Sequence, residues 1–236
     1  MDRLDKVLSR TGLWSRKEAR KIIRAGRVAV DGSFIKNPGE QIGSDVEIDV
    51  DGARINHESK VYLMMNKPSG LISSTEDPRE ETVLELLPPQ YKKVGLFPVG
   101  RLDKDTEGLL LLTNDGPLAH HLLSPRHHVE KVYFVKVRGE LSQEDVLSFS
   151  KGILLNDGTL CREARLEILE PSDTALVTLR EGKYHQLKRM MAARSKPVLY
   201  LKRICMGSLK LDPTLKPGQW RILTKKETAQ LQSRMV

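Results

Sequence analysis

The first ten residues carry apolar side chains every three to four positions, as an amphipathic helix does. Gly12 follows at a point where such a helix can end, so a first helix is predicted from about Asp2 to Thr11. The segment from Val28 to Ile35 instead has two short β-prone runs around an Asp-Gly pair, which predicts a strand, a tight turn and a second strand. A further short strand is predicted from Val46 to Val50.

A second helix is predicted from Arg16 to about Ala25. Ser15 and Glu18 have the spacing of a capping box, in which each side chain bonds the other residue's backbone amide, and Gly26 provides a C-terminal stop. An apolar stripe leaves five basic residues on the outer face, namely Arg16, Lys17, Arg20, Lys21 and Arg24. Like charges four residues apart repel each other, and a bound phosphate backbone would relieve that repulsion.

The rest of the chain mixes strand-like and helix-like segments without strict alternation. Strands are predicted at Val61–Met65, Leu109–Leu112, Val132–Val137, Thr174–Leu179, Val198–Ile204 and Trp220–Leu223. Helices are predicted at Thr82–Leu87, from an Asp115 cap to about Leu123, at Ser142–Phe149, after the loop at Gly182, and after a Thr224 cap. This pattern favours an α+β fold with a mixed, mainly antiparallel sheet and flanking helices over a doubly wound parallel sheet.

A polar stretch divides the chain into two predicted domains. Asn56–Lys60 is the expected linker, between a small helix-helix-hairpin domain at residues 1–57 and a larger domain at 61–236. Apolar residues make up 39% of the 236 residues, enough for a hydrophobic core in each.

The charge of the chain points to a polyanionic partner. The net charge is +8, and it is concentrated in two segments. Residues 1–27 contain nine Lys and Arg against three acids, and residues 180–210 contain nine against one. The two segments predict two contact surfaces for one phosphate backbone.

Cysteine usage and hydropathy favour a cytoplasmic protein. Cys161 and Cys205 lie far apart and no CxxC is present, so neither a disulfide framework nor a zinc ribbon is indicated. No long apolar run and no signal-type N-terminus are visible. We therefore expect a soluble protein that is not exported and does not bind a membrane. We also expect it to be a monomer.

An acidic loop from Gly100 to Gly108 separates two apolar runs and places Asp103 between buried elements. An acid there needs a cationic or hydrogen-bonding partner, and such a position suits catalysis. A solvated turn is the alternative on composition alone. A calcium loop is rejected, because Asn114 stands where the EF-hand pattern requires a bidentate Glu.

Several motifs resemble known RNA-modifying proteins. Arg3–Lys6, Ser15–Ala19 and Gly26–Gly32 are similar to the alpha-L RNA-binding module, first recognised in a small-subunit ribosomal protein. Three later motifs, in their order along the chain, resemble the signature motifs of the RsuA branch of the pseudouridine synthases. They are Asn66–Gly70, Gly100–Leu110 and Gly182–Met190. Ser124–Lys131 and Lys151–Gly152 are similar to the branch members that act on small-subunit rRNA.

This resemblance implies isomerisation of uridine to pseudouridine in ribosomal RNA, most specifically 16S rRNA, without a metal or other cofactor. Asp103 would be the catalytic carboxylate and Tyr133 the aromatic residue that stacks on the target base. Lys188 would pair with Asp103, and Arg101 would help to hold the rearranged RNA. Lys188 stands where the family often has Arg, and an ammonium is a point charge that lacks the planar fork of a bidentate pair.

We expect ribosomal RNA or an assembling ribosomal subunit as the partner, and a role in ribosome biogenesis. The residues predicted to bind RNA are Arg3, Arg16, Lys17, Arg20, Lys21, Arg24, Arg27, Lys67, Lys183, Arg189 and Arg203.

Other functions remain open at this point. One alternative is a large-subunit rRNA pseudouridine synthase of the same family. Another is a non-catalytic RNA-binding protein of ribosome assembly, in which Asp103 merely pairs with Lys188. A metal-dependent RNA hydrolase is a more distant alternative, because the pairs His120-His121 and His127-His128 lack carboxylates or Cys at ligand spacing.

Overall fold

The computed structural model describes residues 1–43, 46–55 and 60–233. The chain divides into two compact units, one formed by Met1–Val61 with Leu87–Phe97 and the other by Tyr62–Leu86 with Pro98–Val236. Most of the predicted linker, residues 56–59, lies outside the described residues, so the domain boundaries at 57 and 61 stay predictions. No helix in the described ranges has the length and hydropathy needed to span a membrane.

The N-terminal part of the first unit, up to residue 55, is built from short strands and two helices. In chain order these are β1 (Asp2–Arg3), α1 (Leu4–Arg10), α2 (Arg16–Arg24), β2 (Val28–Val30), β3 (Ser33–Ile35), β4 (Gln41–Ile42), β5 (Ile48–Val50) and β6 (Ala53–Ile55). Strands β3, β2, β5 and β6 form an antiparallel sheet in that order, and β1 pairs with β4. Apolar side chains of both helices and of the sheet share one core.

Local sequence signals account for most of this unit. The hairpin turn at Asp31 and Gly32 is confirmed, with φ of +48° and +77°, as a type I′ turn requires. The capping box of α2 is confirmed as well, since Ser15 N donates to Glu18 Oε2 at 2.7 Å and Glu18 N donates to Ser15 Oγ. The first helix is shorter than predicted, because Asp2 and Arg3 pair with β4 as a strand.

The remaining elements follow residue 61. In chain order they are β7 (Tyr62–Lys67), α3 (Pro89–Lys93), β8 (Phe97–Pro98), β9 (Glu107–Thr113), α4 (Gly116–Leu123), β10 (Lys131–Val137), α5 (Gln143–Lys151), β11 (Arg165–Ile168), β12 (Thr174–Leu179), α6 (Gln186–Ala193), β13 (Val198–Met206), β14 (Leu209–Lys210), β15 (Trp220–Ile222) and α7 (Lys225–Gln232). Residues 83–86 and 125–127 form single 3₁₀ turns. The helix predicted at Thr82–Leu87 is thus only a 3₁₀ turn. Pro88 disfavours the α conformation of the residue before it, Leu87, and so prevents a longer helix.

The sheet of the second unit runs in the order β11-β12-β10-β13-β9-β7-β15. Neighbouring strands are antiparallel except β13 and β9, which are parallel. The predicted mixed, mainly antiparallel sheet and the α+β class are therefore confirmed. The four leucines of β9, Leu109–Leu112, are buried, as their unbroken apolar run predicts.

Candidate active site

The loop before β9 carries Asp103 and is fixed by neighbouring backbone and side-chain groups. Ser73 Oγ donates to the carbonyl of Leu102 at 3.0 Å and accepts from its N–H at 3.1 Å. The N–H of Gly70 donates to the carbonyl of Lys104 at 2.8 Å. Because Leu102 is buried on one side of Asp103 and Lys104 is bonded on the other, the backbone around the carboxylate is held firmly.

Lys67 lies beneath this loop with no exposed surface. Its ammonium is within donating distance of four carbonyl oxygens: Pro68 at 2.9 Å, Asp103 at 3.1 Å, Lys104 at 3.2 Å and Thr106 at 2.9 Å. Burial lowers the pKa of Lys67 to about 8, although the negative charges of nearby acids act to raise it. The prediction that Lys67 contacts RNA is therefore corrected, because its charge is used inside the protein to hold the loop.

Asp103 is ion-paired with the first turn of α6. Lys188 Nζ lies 3.0 Å from Asp103 Oδ2, so the predicted pair is present, while its catalytic role stays a prediction. The same ammonium lies 2.5 Å from Asp105 Oδ1, and His185 Nε2 lies 3.5 Å from Asp103 Oδ1. The Asp103 side chain remains 25% exposed, so a bound substrate can reach the carboxylate.

The two carboxylates share one ammonium, and the charges are coupled. Burial would lower the pKa of Lys188, but hydrogen bonds to Asp105 and Asp103 outweigh burial and raise it. The hydrogen bond from Lys188 in turn lowers the pKa of Asp105. Lys188 therefore stays protonated beside Asp103 at neutral pH.

His185 precedes α6 in a left-handed backbone conformation, with φ of +46°. This conformation is uncommon for a residue other than glycine. The exposed ring of Tyr184 stacks on the His185 ring, with centroids 3.9 Å apart and planes 18° from parallel. The stack fixes an imidazole beside Asp103, a position that the third motif alone did not reveal.

Strand register relates Tyr133 to the end of this loop. Tyr133 is opposite Arg203 across β10 and β13, and Arg203 is opposite Gly108 across β13 and β9. A side chain at Gly108 would place its Cβ only 2.2 Å from the Arg203 carbonyl, so this glycine permits the close approach of the strands. Two strand spacings, about 10 Å, separate Tyr133 from Gly108. Tyr133 is half-buried against the core, and stacking on a base stays a prediction.

The remaining predicted catalytic residue, Arg101, is exposed at the start of the loop, directly after Gly100. Gly100 has φ of +80°, and a Cβ there would lie 2.8 Å from the Leu123 side chain. This conformation turns the chain into the loop and leaves Arg101 at the surface, where an RNA contact is possible.

Basic residues predicted to bind RNA in the second unit have partners within the protein, or are buried, and this leaves fewer of their donors for RNA. Lys183 pairs with Glu181 at 2.8 Å, and Arg189 pairs with Asp157. Arg203 is 2% exposed and donates through Nε to the carbonyl of β9 residue Leu109 at 2.8 Å. The prediction of an RNA contact for Arg203 is therefore corrected.

The first unit keeps most of its predicted basic residues at the surface. Lys17, Lys21 and Arg24 are exposed on α2, and Arg27 pairs with Asp51 at 2.5 Å. The other predicted RNA-binding residues there, Arg3, Arg16 and Arg20, surround one buried acid, Asp5. The expected repulsion between Arg16 and Arg20 is therefore offset within the protein before any RNA binds.

Three contributors to this site were missed from the sequence. Asp105 lies in the same acidic loop as Asp103, so the motif contained a signal for it. Lys67 lies in the first motif and is predicted only as an RNA contact, because no local pattern shows that its side chain is buried beneath the loop. Ser73 carries no sequence signal, since its role depends on a contact with a segment 29 residues away.

The histidines considered as metal ligands lie elsewhere in this unit. The rings of His121 and His127 have centroids 4.0 Å apart, and His128 Nδ1 lies 3.2 Å from an Arg162 guanidinium nitrogen. Within the described ranges, no group of three or more His, Cys, Asp or Glu side chains is arranged to hold a metal ion.

Comparisons with known proteins agree with the motifs. The family model described as RNA pseudouridylate synthase matches residues 61–193, and the S4 domain model matches residues 2–48, the segment similar to the alpha-L module. The chain is 46% identical over 229 residues to an uncharacterized RNA pseudouridine synthase, YtzG, of Bacillus subtilis, covering 95% of this chain and 96% of that protein. It is 40% identical over 231 residues to ribosomal small subunit pseudouridine synthase A of Escherichia coli, covering 96% of this chain and 98% of that protein.

A solved structure supports the same assignment. A crystal structure of a pseudouridylate synthase is 35% identical and superposes with a TM-score of 0.69, covering 98% of this chain and all of that one. The motif order, the site around Asp103 and the full-length similarity agree. The chain therefore belongs to the RNA pseudouridylate synthase family and carries an S4 domain at its N-terminus.

Proposed function

We propose that this enzyme converts specific uridines of small-subunit ribosomal RNA to pseudouridine in the cytoplasm, with Asp103 as the catalytic carboxylate. The observation that carries the proposal is the ion pair of Asp103 with Lys188 on a loop fixed by Lys67 and Ser73. Support for the small-subunit substrate comes from the E. coli relative, a ribosomal small subunit pseudouridine synthase that is similar over almost its whole length.

The geometry suits cleavage and re-formation of a bond to a ribose carbon. The N-glycosidic bond of the target uridine breaks, the uracil turns, and a carbon–carbon bond joins it to the same ribose. An ionised carboxylate can act as a nucleophile toward the sugar carbon or as a base that removes a proton from the turned uracil. Lys188 stabilises the carboxylate charge, and the fixed loop keeps Asp103 in position throughout both bond changes.

The target base must leave its stack to reach this carboxylate. Tyr133, on the strand two places from β9, would restore part of the lost stacking, and exposed Arg101 would hold the rearranged backbone. Residues 1–57 would act as a separate RNA-binding domain, and residues 61–236 as the catalytic domain. The exposed cations of α2 would contact phosphate groups, which carry affinity without specifying sequence.

The direct test uses the purified full-length chain and transcripts of small- and large-subunit ribosomal RNA. Pseudouridine is measured by mass spectrometry after nuclease digestion. We expect product in the small-subunit transcript, none with Asp103→Asn, and near wild-type product with Asp157→Asn. Asp157 is the matched control, because it also pairs with a basic residue of α6 but lies outside the loop.

Two outcomes would contradict the proposal. Product only in the large-subunit transcript would leave the chemistry intact and transfer the substrate to the other subunit. Full activity of Asp103→Asn would remove the carboxylate from the reaction, and the Asp103–Lys188 pair would then serve only the structure of the loop.

A further inference from the structure

Asp5, the second residue of α1, is an acid with no exposed surface in the first unit. Three arginines from two separate elements converge on its carboxylate. Arg3 of β1 bonds both oxygens, with Nε to Oδ1 and Nη2 to Oδ2 each at 3.1 Å. Arg20 Nε donates to Oδ2 at 2.8 Å, and Arg16 Nε lies 3.6 Å from the same oxygen.

The charge of this cluster is far from balanced. One carboxylate faces three guanidinium groups, which leaves two positive charges uncompensated within the cluster. Burial alone would raise the pKa of Asp5, but the hydrogen bonds from Arg3 and Arg20 and the charge of Arg16 hold it well below its usual range. Asp5 therefore stays ionised at neutral pH.

The arginines themselves remain open to solvent on their outer sides. Their side chains are 43%, 51% and 45% exposed for Arg3, Arg16 and Arg20, whereas that of Asp5 is 0% exposed. A guanidinium has five N–H donors, and Asp5 engages only two from Arg3 and one from Arg20. Most donors therefore point away from the carboxylate, on a surface that Asp5 itself does not reach.

The backbone makes this arrangement specific. Arg16 and Arg20 lie one turn apart on the same face of α2, and Arg3 is placed beside them because β1 pairs with β4. Without the acid, the like charges of Arg16 and Arg20 would separate and their flexible side chains would sample many rotamers. Asp5 fixes Arg3 and Arg20 by hydrogen bonds and attracts Arg16 by charge before a ligand binds, which lowers the ordering cost of binding.

We propose that Arg3, Arg16 and Arg20 form one preorganised site for neighbouring phosphate groups of RNA, and that buried Asp5 is the positioning residue that assembles it. This rests on the proposed RNA binding by the first unit and adds a residue that touches no RNA. Guanidinium groups bind phosphate through paired hydrogen bonds, so the geometry that Asp5 imposes matters as much as the charge.

Positioning by Asp5 and net charge alone predict opposite changes in RNA affinity when Asp5 is replaced. Asp5→Asn and Asp2→Asn each remove one negative charge from the same end of the first unit. Asp2 is the matched control, because its side chain is 36% exposed and pairs with Lys6 and Arg10 at the surface. If net charge alone governs binding, both variants bind a small-subunit rRNA transcript more tightly than the wild type does.

If Asp5 positions the arginines, Asp5→Asn binds the transcript about tenfold more weakly than the wild type does, and Asp2→Asn does not bind it more weakly. Tenfold corresponds to the loss of one charge-assisted hydrogen bond. The salt dependence of Asp5→Asn should also become shallower by about one unit as a phosphate contact is lost. Binding is measured with the full-length chain by fluorescence anisotropy over a salt series. Equal or tighter binding by Asp5→Asn overturns the proposal.

Thermal unfolding of the same sample shows whether Asp5→Asn unfolds the first unit. If it does, a second pair of variants tests the proposal. Arg3→Lys keeps the charge but loses the two-bond contact with Asp5, and Arg10→Lys is its control at an exposed pair. Weaker binding by Arg3→Lys alone supports the proposal, and equal binding by both overturns it. If replacing Arg16 and Arg20 by Ala leaves RNA binding unchanged, these arginines contact no phosphate and the proposal is overturned. If binding is still unchanged when Lys17, Lys21 and Arg24 are replaced as well, the proposed RNA-binding role of the first unit fails.

Discussion

Replacing Lys67 by Met tests whether the buried ammonium builds the active-site loop. Methionine is similarly long and apolar, so the change removes the charge with little loss of volume. The carbonyls of Asp103 and Lys104 keep backbone N–H donors at 3.0 and 2.8 Å. For the carbonyls of Pro68 and Thr106, Lys67 is the donor that the described residues provide.

The structure sets the expected size of the effect. Two buried carbonyls without a partner cost about 1–3 kcal/mol each, or about 2–6 kcal/mol together. The variant also avoids the cost of burying a charge, which the pKa of about 8 in place of 10.5 puts at roughly 3 kcal/mol. The net loss of unfolding free energy should therefore be at most about 3 kcal/mol. The rate should fall about a hundredfold, because a misplacement of Asp103 by about 1 Å is enough to do so.

The pH dependence of stability identifies Lys67 directly. Its folded pKa of about 8 is below the unfolded value of 10.5, so the unfolded chain binds more protons between these pH values. The stability contribution of Lys67 is therefore full above pH 10.5 and is lost as pH falls through about 8. The difference in unfolding free energy between wild type and Lys67→Met should grow as pH rises through this window.

Chemical unfolding at several pH values and single-turnover pseudouridine formation provide the measurements. RNA affinity is measured alongside, because the competing interpretation of Lys67 is a phosphate contact. A variant that loses RNA affinity with an unchanged single-turnover rate at saturating RNA would refute the loop-positioning argument.

Three further results are expected. Asp103→Asn should lower the single-turnover rate by at least about a hundredfold with nearly unchanged RNA affinity, measured by filter binding, because it removes a reacting charge but little volume. Lys188→Met should raise the pKa of Asp105, followed by carboxyl NMR, since the hydrogen bond that lowers it is lost, whereas Lys188→Arg should keep that pKa low and retain most activity. Arg24→Ala should weaken RNA binding and make the salt slope shallower by about one unit, and an unchanged slope would show that Arg24 faces solvent only.

Elements set by short-range signals were predictable from the sequence. The capping boxes at Ser15 and Glu18 and at Thr224 and Glu227 are both present, because each needs only residues three apart. The two-residue strand at Asp2 and Arg3 could not be predicted, because its partner lies almost forty residues later. Pairing over that distance depends on the whole fold, which a local pattern does not record.

The candidate site shows the same division. The motifs located Asp103 and Lys188, and their predicted ion pair is present. The basic run from residue 180 to 210 has less free charge in the fold than along the chain, because acids from other segments lie against part of it. Arg180 pairs with Glu130, and Arg194 pairs with both Glu144 and Asp145. These contacts pair some cations of the expected RNA surface with acids of the same chain.

We propose above that Asp103 enables this chain to make pseudouridine in small-subunit ribosomal RNA. The most direct measurement maps pseudouridines at single-nucleotide resolution in ribosomal RNA from cells that lack the gene and carry either the wild-type chain or Asp103→Asn. We predict that at least one small-subunit uridine is converted only when the wild-type chain is present. An identical small-subunit pseudouridine map in both strains would show that Asp103 is not needed to make pseudouridine in small-subunit ribosomal RNA.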